Sequence, residues 1–136
     1  MDMNYTIAEL DQLATILLQQ FGHKRIWAFH APMGAGKTTL IARICKQLGV
    51  NSAVTSPTFA LMNEYEGNGK MIYHMDWYRL EDEAEARRAG IEAALEDADF
   101  SLVEWPEKAP NLLMEDTQHF EIEILDREHR RIFIPS

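Results

Sequence analysis

Glycines and a lysine within residues 31–39, which read APMGAGKTT, are the residues of this chain best suited to bind phosphate. A phosphate-binding loop has the pattern G-x-x-x-x-G-K-[ST], and its backbone N–H groups face the phosphates at the positive end of the following helix. Ala31 stands at the first glycine position, but its methyl group removes no phosphate ligand. We therefore predict a nucleotide-binding loop, with Lys37 neutralising phosphate charge and the Thr38 hydroxyl binding Mg²⁺. The residues expected to bind nucleotide here are Gly34, Ala35, Gly36, Lys37, Thr38 and Thr39.

Two acidic residues further along the chain are candidates to complete the site. Asp76 follows the strand-like run MIYHM, and Glu104 follows the apolar run SLV. A phosphate-binding loop needs a second acidic group near Mg²⁺, usually at the end of a neighbouring strand, and the carboxyl ends of parallel strands meet at one edge of a sheet. We expect Asp76 and Glu104 to hold Mg²⁺ or to orient an attacking water. The residues alone do not assign these two roles.

Other polar residues near these motifs allow two interpretations. His74 lies inside a predicted strand and is more typical of a hydrogen-bonded core histidine than of a catalytic one. Residues 55–58 (TSPT) form either an ordinary turn or a switch segment that reaches the third phosphate. Arg79 either pairs with the acidic helix after it or faces a ligand, and Trp105 either stacks on a partner or covers the sheet.

The elements that position these groups follow from periodicity and turn residues. Thr6 and Glu9 form a T-x-x-E capping box before an amphipathic helix that ends at Gly22. Residues 25–30 predict a buried strand and residues 37–48 a helix, so strand, glycine loop and helix occur in the required order. The remaining predicted elements are a short strand at 54–55, a hairpin of strands 59–66 and 70–75 around Asn68-Gly69, helices at 81–89 and up to 95, a strand at 101–104 and a hairpin of strands 120–125 and 132–134.

Length and element order together predict the fold class. The 136 residues are long enough for one core, and no linker or repeat divides them, so we expect a single domain over residues 1–136. Strands alternating with helices predict an α/β P-loop NTPase fold. Its sheet should be mainly parallel, with antiparallel strands from the two hairpins, between two helical layers.

Composition limits the class of protein. The formal charge of −9 argues against a large basic face for direct nucleic-acid binding. Cys45 is the single cysteine, which excludes an internal disulfide and fits a buried thiol in a reducing compartment. No signal peptide or membrane span is evident, so we expect a cytoplasmic protein.

Four activities are considered for such a loop. A GTPase is disfavoured because the chain has no N-K-x-D stretch. A small-molecule kinase would need an acceptor site and an arginine-bearing lid, but the acidic region after the second predicted hairpin strand contains Arg87-Arg88 as its only basic pair. A nucleotide-dependent adaptor that barely hydrolyses is the third alternative, and an ATPase fits the residues best.

Four motifs occur in order along nearly the whole chain: GAGKTT, VTSPTF, HMDWYRL and VEWPE. Together they resemble the TsaE family, the ATPase component of bacterial tRNA threonylcarbamoyladenosine synthesis. The resemblance implies binding of ATP and Mg²⁺ and slow ATP hydrolysis. It also implies action with the TsaD and TsaB proteins, which place a threonylcarbamoyl group on the adenosine next to the anticodon of ANN-decoding tRNAs. The tRNA would be held mainly by these partners.

The resemblance also implies roles for residues. Lys37 would neutralise phosphates, Thr38 and Glu104 would ligate Mg²⁺, and Asp76 would be the Walker-B-like group. The TSPT segment would be the family's switch, and Arg127 in the C-terminal turn would approach the nucleotide. The sequence departs from the family's usual G-D-L-G-A-G-K-T loop in having Ala-Pro-Met at 31–33, and Trp77 stands where leucine is common.

Overall fold

A mixed β-sheet runs through the middle of the protein in a computed structural model that describes residues 1–55, 57 and 61–135. The strands are β1 (Asp2–Thr6), β2 (Ile26–His30), β3 (Met62–Gly67), β4 (Lys70–Asp76), β5 (Phe100–Glu104), β6 (Gln118–Ile124) and β7 (His129–Phe133). The α-helices are α1 (Leu10–Phe21), α2 (Lys37–Gln47), α3 (Glu83–Arg88) and α4 (Ile91–Asp97). Short 3-10 turns span Ile7–Glu9, Pro106–Lys108 and Pro110–Leu112.

The strands of the described residues form one sheet in the order β1-β7-β6-β2-β5-β4-β3. Its centre is parallel, since β2 pairs with both β5 and β6, and β4 pairs with β5. Antiparallel hairpin strands flank this centre, β3 on β4 and β7 on β6, and β1 adds an antiparallel edge to β7. The sheet therefore confirms the predicted parallel core with antiparallel hairpins.

Helices cover both faces of the sheet and make three layers. Helices α1 and α2 pack on one face against Trp27, Phe29 and Phe120. Helices α3 and α4 pack on the other against Ile26 and Met75. Ile26 and Trp27 point to opposite layers because successive side chains of a strand alternate. The predicted three-layer α/β/α fold is confirmed.

Most predicted elements are present with bounds shifted by one to three residues. The turn of the first hairpin has Asn68 and Gly69 at positive φ (53° and 81°), the backbone that makes Asn-Gly a strong hairpin signal. The capping box is also present, since the Glu9 carboxylate accepts a hydrogen bond from the Thr6 N–H at 2.9 Å. It begins the 3-10 turn that leads into α1.

One unpredicted strand and two predicted strands differ from expectation or fall partly outside the described residues. The strand β1 was not predicted, because three of the residues in DMNYT are polar and its pairing partner is the remote β7. The predicted strand at 54–55 is wrong, because these residues are irregular. For the predicted strand 59–66, Phe59 and Ala60 lie outside the described residues, and β3 begins at Met62.

Cys45 is fully buried between the sheet and α1, as expected for a structural thiol. Burial raises its pKa to about 12, so the thiol is protonated and unreactive at neutral pH. Within the described residues, no helix is long and apolar enough to cross a membrane.

Candidate nucleotide-binding site

The glycine loop joins β2 to α2 and turns the chain back at the start of the helix. Gly34 and Gly36 have φ of 80° and 87°, the left-handed region that glycine enters without steric cost. A Cβ built on either would meet no atom within 4 Å, so the backbone conformation requires glycine there and the space beside the loop is open. Ala31 is not among the described non-glycine residues with positive φ. Its methyl therefore adds no backbone strain.

The loop forms one wall of a cleft of about 280 Å³ at the carboxyl ends of β4 and β5. The cleft is lined by Met33, Gly34, Ala35, Gly36, Lys37, Thr38, Thr39, Asp76, Tyr78, Glu104 and Trp105. All the predicted loop residues and both predicted carboxylates thus face one space. A larger cavity, of about 470 Å³, lies at the far ends of α1 and α2 and contains none of these groups.

Lys37 is the cation of this cleft, and its side chain is almost fully buried (5% exposed). Its ammonium donates a hydrogen bond to the Ala31 carbonyl at 3.0 Å and lies 3.7 Å from the centre of the Trp105 ring. Burial lowers the pKa of Lys37, while the carboxylates of Glu104 and Asp76 act in the opposite direction. The charge needed for phosphate binding is therefore already placed at the loop.

Glu104 connects the first turn of α2 to the neighbouring strand β4. The Thr38 hydroxyl lies 3.2 and 3.4 Å from its two carboxylate oxygens. On its other side, the His74 Nε2 is 2.6 Å from Glu104 Oε2. His74 is fully buried, as expected for the hydrogen-bonded core histidine that the sequence favoured, and its partner is a predicted metal ligand.

Asp76 stands beside Glu104 across the β4–β5 register. Its Oδ1 accepts a hydrogen bond from the Tyr78 N–H at 3.0 Å. Burial is the largest cause that raises the pKa of Asp76, and the negative charge of Glu104 acts in the same direction. Two carboxylates crowded at adjacent strand ends fit a divalent cation, which would relieve their repulsion.

The donor set of the cleft suits Mg²⁺, which prefers oxygen ligands. Thr38, Asp76 and Glu104 offer a hydroxyl and two carboxylates. Within residues 1–55, 57 and 61–135, no group of three or more His, Cys, Asp or Glu side chains is placed to hold a metal ion by itself. Protein carboxylates commonly share Mg²⁺ with substrate phosphates and water.

A cation from the C-terminal hairpin also contacts the loop, and the sequence did not identify it. Arg130 Nε donates to the Ala35 carbonyl at 3.3 Å, and its Nη1 donates to the carbonyls of Asp126 and His129 at 2.6 and 3.0 Å. Arg127, the predicted residue, is exposed in the same turn. Its nucleotide contact stays a prediction. Arg130 could have been found from alternation along β7, because it shares a face with the buried Ile132.

Two aromatic rings close the side of the cleft. Trp105 has φ of 57°, unusual for a residue with a side chain, and its ring lies 4.9 Å from that of Tyr78. Trp105 thus covers Lys37.

Arg79 is exposed. The predicted switch segment is described only in part, because Ser56 and Thr58 lie outside the described residues, and the Thr55 carbonyl accepts a hydrogen bond from Asn63 at 3.0 Å.

The parallel strand, glycine loop and helix around this cleft define a P-loop NTPase fold. Residues 5–132 match the family model described as "Threonylcarbamoyl adenosine biosynthesis protein TsaE". The chain therefore belongs to the TsaE family of tRNA threonylcarbamoyladenosine biosynthesis, which confirms the resemblance seen in the motifs.

Relatives and a solved structure agree with this membership. The TsaE protein of Haemophilus influenzae is 40% identical over 105 residues, which cover 76% of this chain and 66% of that relative, just under two thirds of its length. The TsaE protein of Aquifex aeolicus is 36% identical over 129 residues, 90% of this chain and 86% of the relative. The crystal structure of YdiB from Bacillus subtilis superposes with a TM-score of 0.71 at 23% identity, covering 97% of this chain and 83% of YdiB. This last match shows the shared fold.

Proposed function

We propose that this protein is a Mg²⁺-dependent ATPase that supports threonylcarbamoyladenosine modification of ANN-decoding tRNAs, next to the anticodon. The observation that carries the proposal is one cleft that combines the glycine loop, the buried Lys37 and the carboxylates of Asp76 and Glu104. Family membership supplies the pathway. Residues 1–136 act as a single ATPase domain, and the cytoplasm, where tRNA is modified in bacteria, is its place of action.

Phosphate binding falls to the loop and Lys37. The free N–H groups at the start of α2 lie at the positive end of the helix dipole, and this end favours a bound anion. Lys37 adds a full positive charge in a partly desolvated position, where an ion pair is stronger than in bulk water. Thr39 and Ala35 line the same wall of the cleft.

Thr38, Glu104 and Asp76 are the groups that would hold Mg²⁺. The chemistry that Mg²⁺ supplies when bound is neutralisation of charge on the phosphate oxygens. Both oxygens of Glu104 already face Thr38, and one also faces His74. We therefore assign the orientation of the attacking water to Asp76, which pairs with Glu104 at the strand ends and whose pKa is raised by burial.

The acidic charge of the protein fits a role beside tRNA and not directly on it. With 22 acidic and 13 basic residues, the chain is poorly suited to neutralise an RNA backbone. TsaD and TsaB would carry most of the tRNA-binding surface, and this ATPase would support turnover of their assembly.

The test is ATP hydrolysis by the purified protein with Mg²⁺, alone and then with TsaD, TsaB and tRNA. We expect slow turnover alone, a change in rate with the partners, and modified tRNA as product. The matched control is Lys37→Ala, which should abolish nucleotide binding because the loop loses its only buried cation. Binding of ATP without any partner response would contradict the proposal. Transfer of phosphate to a small molecule would establish a kinase instead, and binding with negligible turnover an adaptor.

A further inference from the structure

His74 is a buried polar residue whose position is not explained by packing. Its side chain is fully buried on β4. Its Nδ1 has no hydrogen-bond partner among the described residues, and leaving a buried polar atom unpaired is unfavourable. An apolar side chain of similar volume would fill the same space without that cost. Any favourable polar contact of the imidazole must therefore be made by its other nitrogen, Nε2.

That other nitrogen makes a short contact with Glu104. The His74 Nε2 and Glu104 Oε2 are 2.6 Å apart, and both side chains are almost fully shielded from water. An ionised carboxylate can only accept hydrogen bonds, so Nε2 carries the hydrogen and donates it. The bond fixes Oε2 and, with it, the plane of the carboxylate that faces the Thr38 hydroxyl.

We propose that His74 is a positioning residue that orients the Glu104 carboxylate toward Thr38 and so prepares the pair to bind Mg²⁺ with the nucleotide. The inference rests on the proposed function. It follows from the strand period as well, because His74 and Asp76 share the face of β4 that meets Glu104 on β5. Residues that hold a metal ligand from behind typically change metal affinity by about 10- to 100-fold when they are removed.

The experiment compares binding of a fluorescent ATP analogue with and without Mg²⁺. We expect His74→Leu to raise the half-saturating Mg²⁺ concentration by about 10- to 100-fold. Nucleotide affinity in EDTA should change little, because the loop and Lys37 are untouched. His74→Gln, whose amide can donate near the position of Nε2, should recover most of the Mg²⁺ dependence. His74→Asn is too short to reach Glu104 and should behave like His74→Leu.

The matched control is Ile72→Ala, on the same strand and the same face two residues earlier. Ile72 is buried (1% exposed), so its truncation lowers the melting temperature without touching Glu104. A merely structural role for His74 predicts that His74→Leu and Ile72→Ala change both affinities alike, and that result would overturn the inference. So would unchanged Mg²⁺ dependence in His74→Asn, which keeps the assay decisive even if His74→Leu does not fold. If the unmodified protein binds nucleotide equally with and without Mg²⁺, the proposed function fails together with the inference, whereas a failure confined to the His74 variants leaves the function intact.

Discussion

Two cations donate hydrogen bonds to carbonyl groups of the glycine loop. Lys37 donates to the Ala31 carbonyl from within the loop, and Arg130 donates to the Ala35 carbonyl from the C-terminal hairpin. Because these carbonyls are fixed, the adjoining N–H groups keep the direction that phosphate binding requires. The loop conformation therefore depends on a residue almost a hundred positions away.

Arg130→Ala should weaken nucleotide binding about tenfold. Loss of a hydrogen bond to a charged group costs about 1.5–3 kcal/mol, and part of that cost falls on the loop conformation. Equilibrium titration of the nucleotide measures the change. Arg127→Ala is the comparison from the same turn, because Arg127 is exposed and is predicted to approach the nucleotide. A larger loss in Arg127→Ala would show instead that Arg127 reaches the nucleotide, as the family resemblance implies.

Sequence spacing predicted that the loop and both carboxylates lie together, because each of them follows a strand that parallel pairing aligns. Alternation along β7 puts Arg130 on the same face as Ile132, but it does not show that this face meets the loop. The choice between Arg130 and Arg131 depends on the register of the β6–β7 hairpin, in which Ile124 pairs with Arg130, and a shift of one residue would turn Arg131 toward the loop instead. The role of His74 was likewise hidden, because its partner Glu104 comes from another strand.

Among the elements, α2 is held at both of its ends. It starts at the glycine loop, and its other end docks on the β3–β4 hairpin, where the Asn68 side chain donates to the Leu48 carbonyl at 3.3 Å and Val50 bridges to Gly67. A Cβ on Gly67 would lie 2.5 Å from the Leu48 carbonyl oxygen. The close approach of helix end and strand therefore needs a residue without a side chain.

Gly67→Ala should lower the free energy of unfolding by about 1–3 kcal/mol, the usual cost of forcing extra atoms into a packed site. Gly67 does not have positive φ, so a loss would come from the contact with Leu48 and not from backbone strain. Urea unfolding measures it. Gly69→Ala in the same hairpin is the comparison, because Gly69 has positive φ but open space around it. A Gly67→Ala protein as stable as the parent would mean that the helix end can move aside.

Local patterns predicted which elements form better than they predicted which strands lie side by side in the sheet. The Asn68-Gly69 turn and the helix at α2 follow from a few adjacent residues. The strand β1 has no such signal, because its Tyr5 is buried only once β7 and α1 are in place. Val54, expected in a strand, instead packs at the margin of the core.

At the scale of the whole molecule, a histidine pair connects β2, which leads into the glycine loop, to β6, the first strand of the C-terminal hairpin. His30 Nε2 lies 2.9 Å from His119 Nδ1, and Glu107 lies 4.0 Å from the other nitrogen of His30. Burial, and then the neighbouring His30, lowers the pKa of His119 below the ordinary 6.5. The folded protein therefore binds a proton at His119 less readily than the unfolded chain does.

Stability should accordingly fall as the pH drops below about 6.5 toward the lower folded-state value, since the unfolded chain takes up the proton first. Denaturant unfolding at pH 7.5, 6.5 and 5.5 measures this decline. His119→Gln cannot titrate, so its stability should decline less over the same range. Parallel slopes for the two proteins would show that other groups govern the acid sensitivity.

The three-layer fold itself was predictable, because the alternation of strands and helices leaves few arrangements for a chain of this length. The strand order was not, since β2 lies between β5 and β6, which follow it much later in the chain. Such pairings depend on contacts that no local window of sequence contains.

The register of β1 with β7 matches Asp2 to Phe133. Strand β1 is synthesised long before β7, so it can pair with β7 only after nearly all of the described chain has been synthesised. The central β2 pairs with β5 and β6, so neither of its edges can form these backbone hydrogen bonds before both later strands are synthesised. A nascent chain that ends before β7 contains the residues of the glycine loop. It lacks the strand that places Arg130 against that loop.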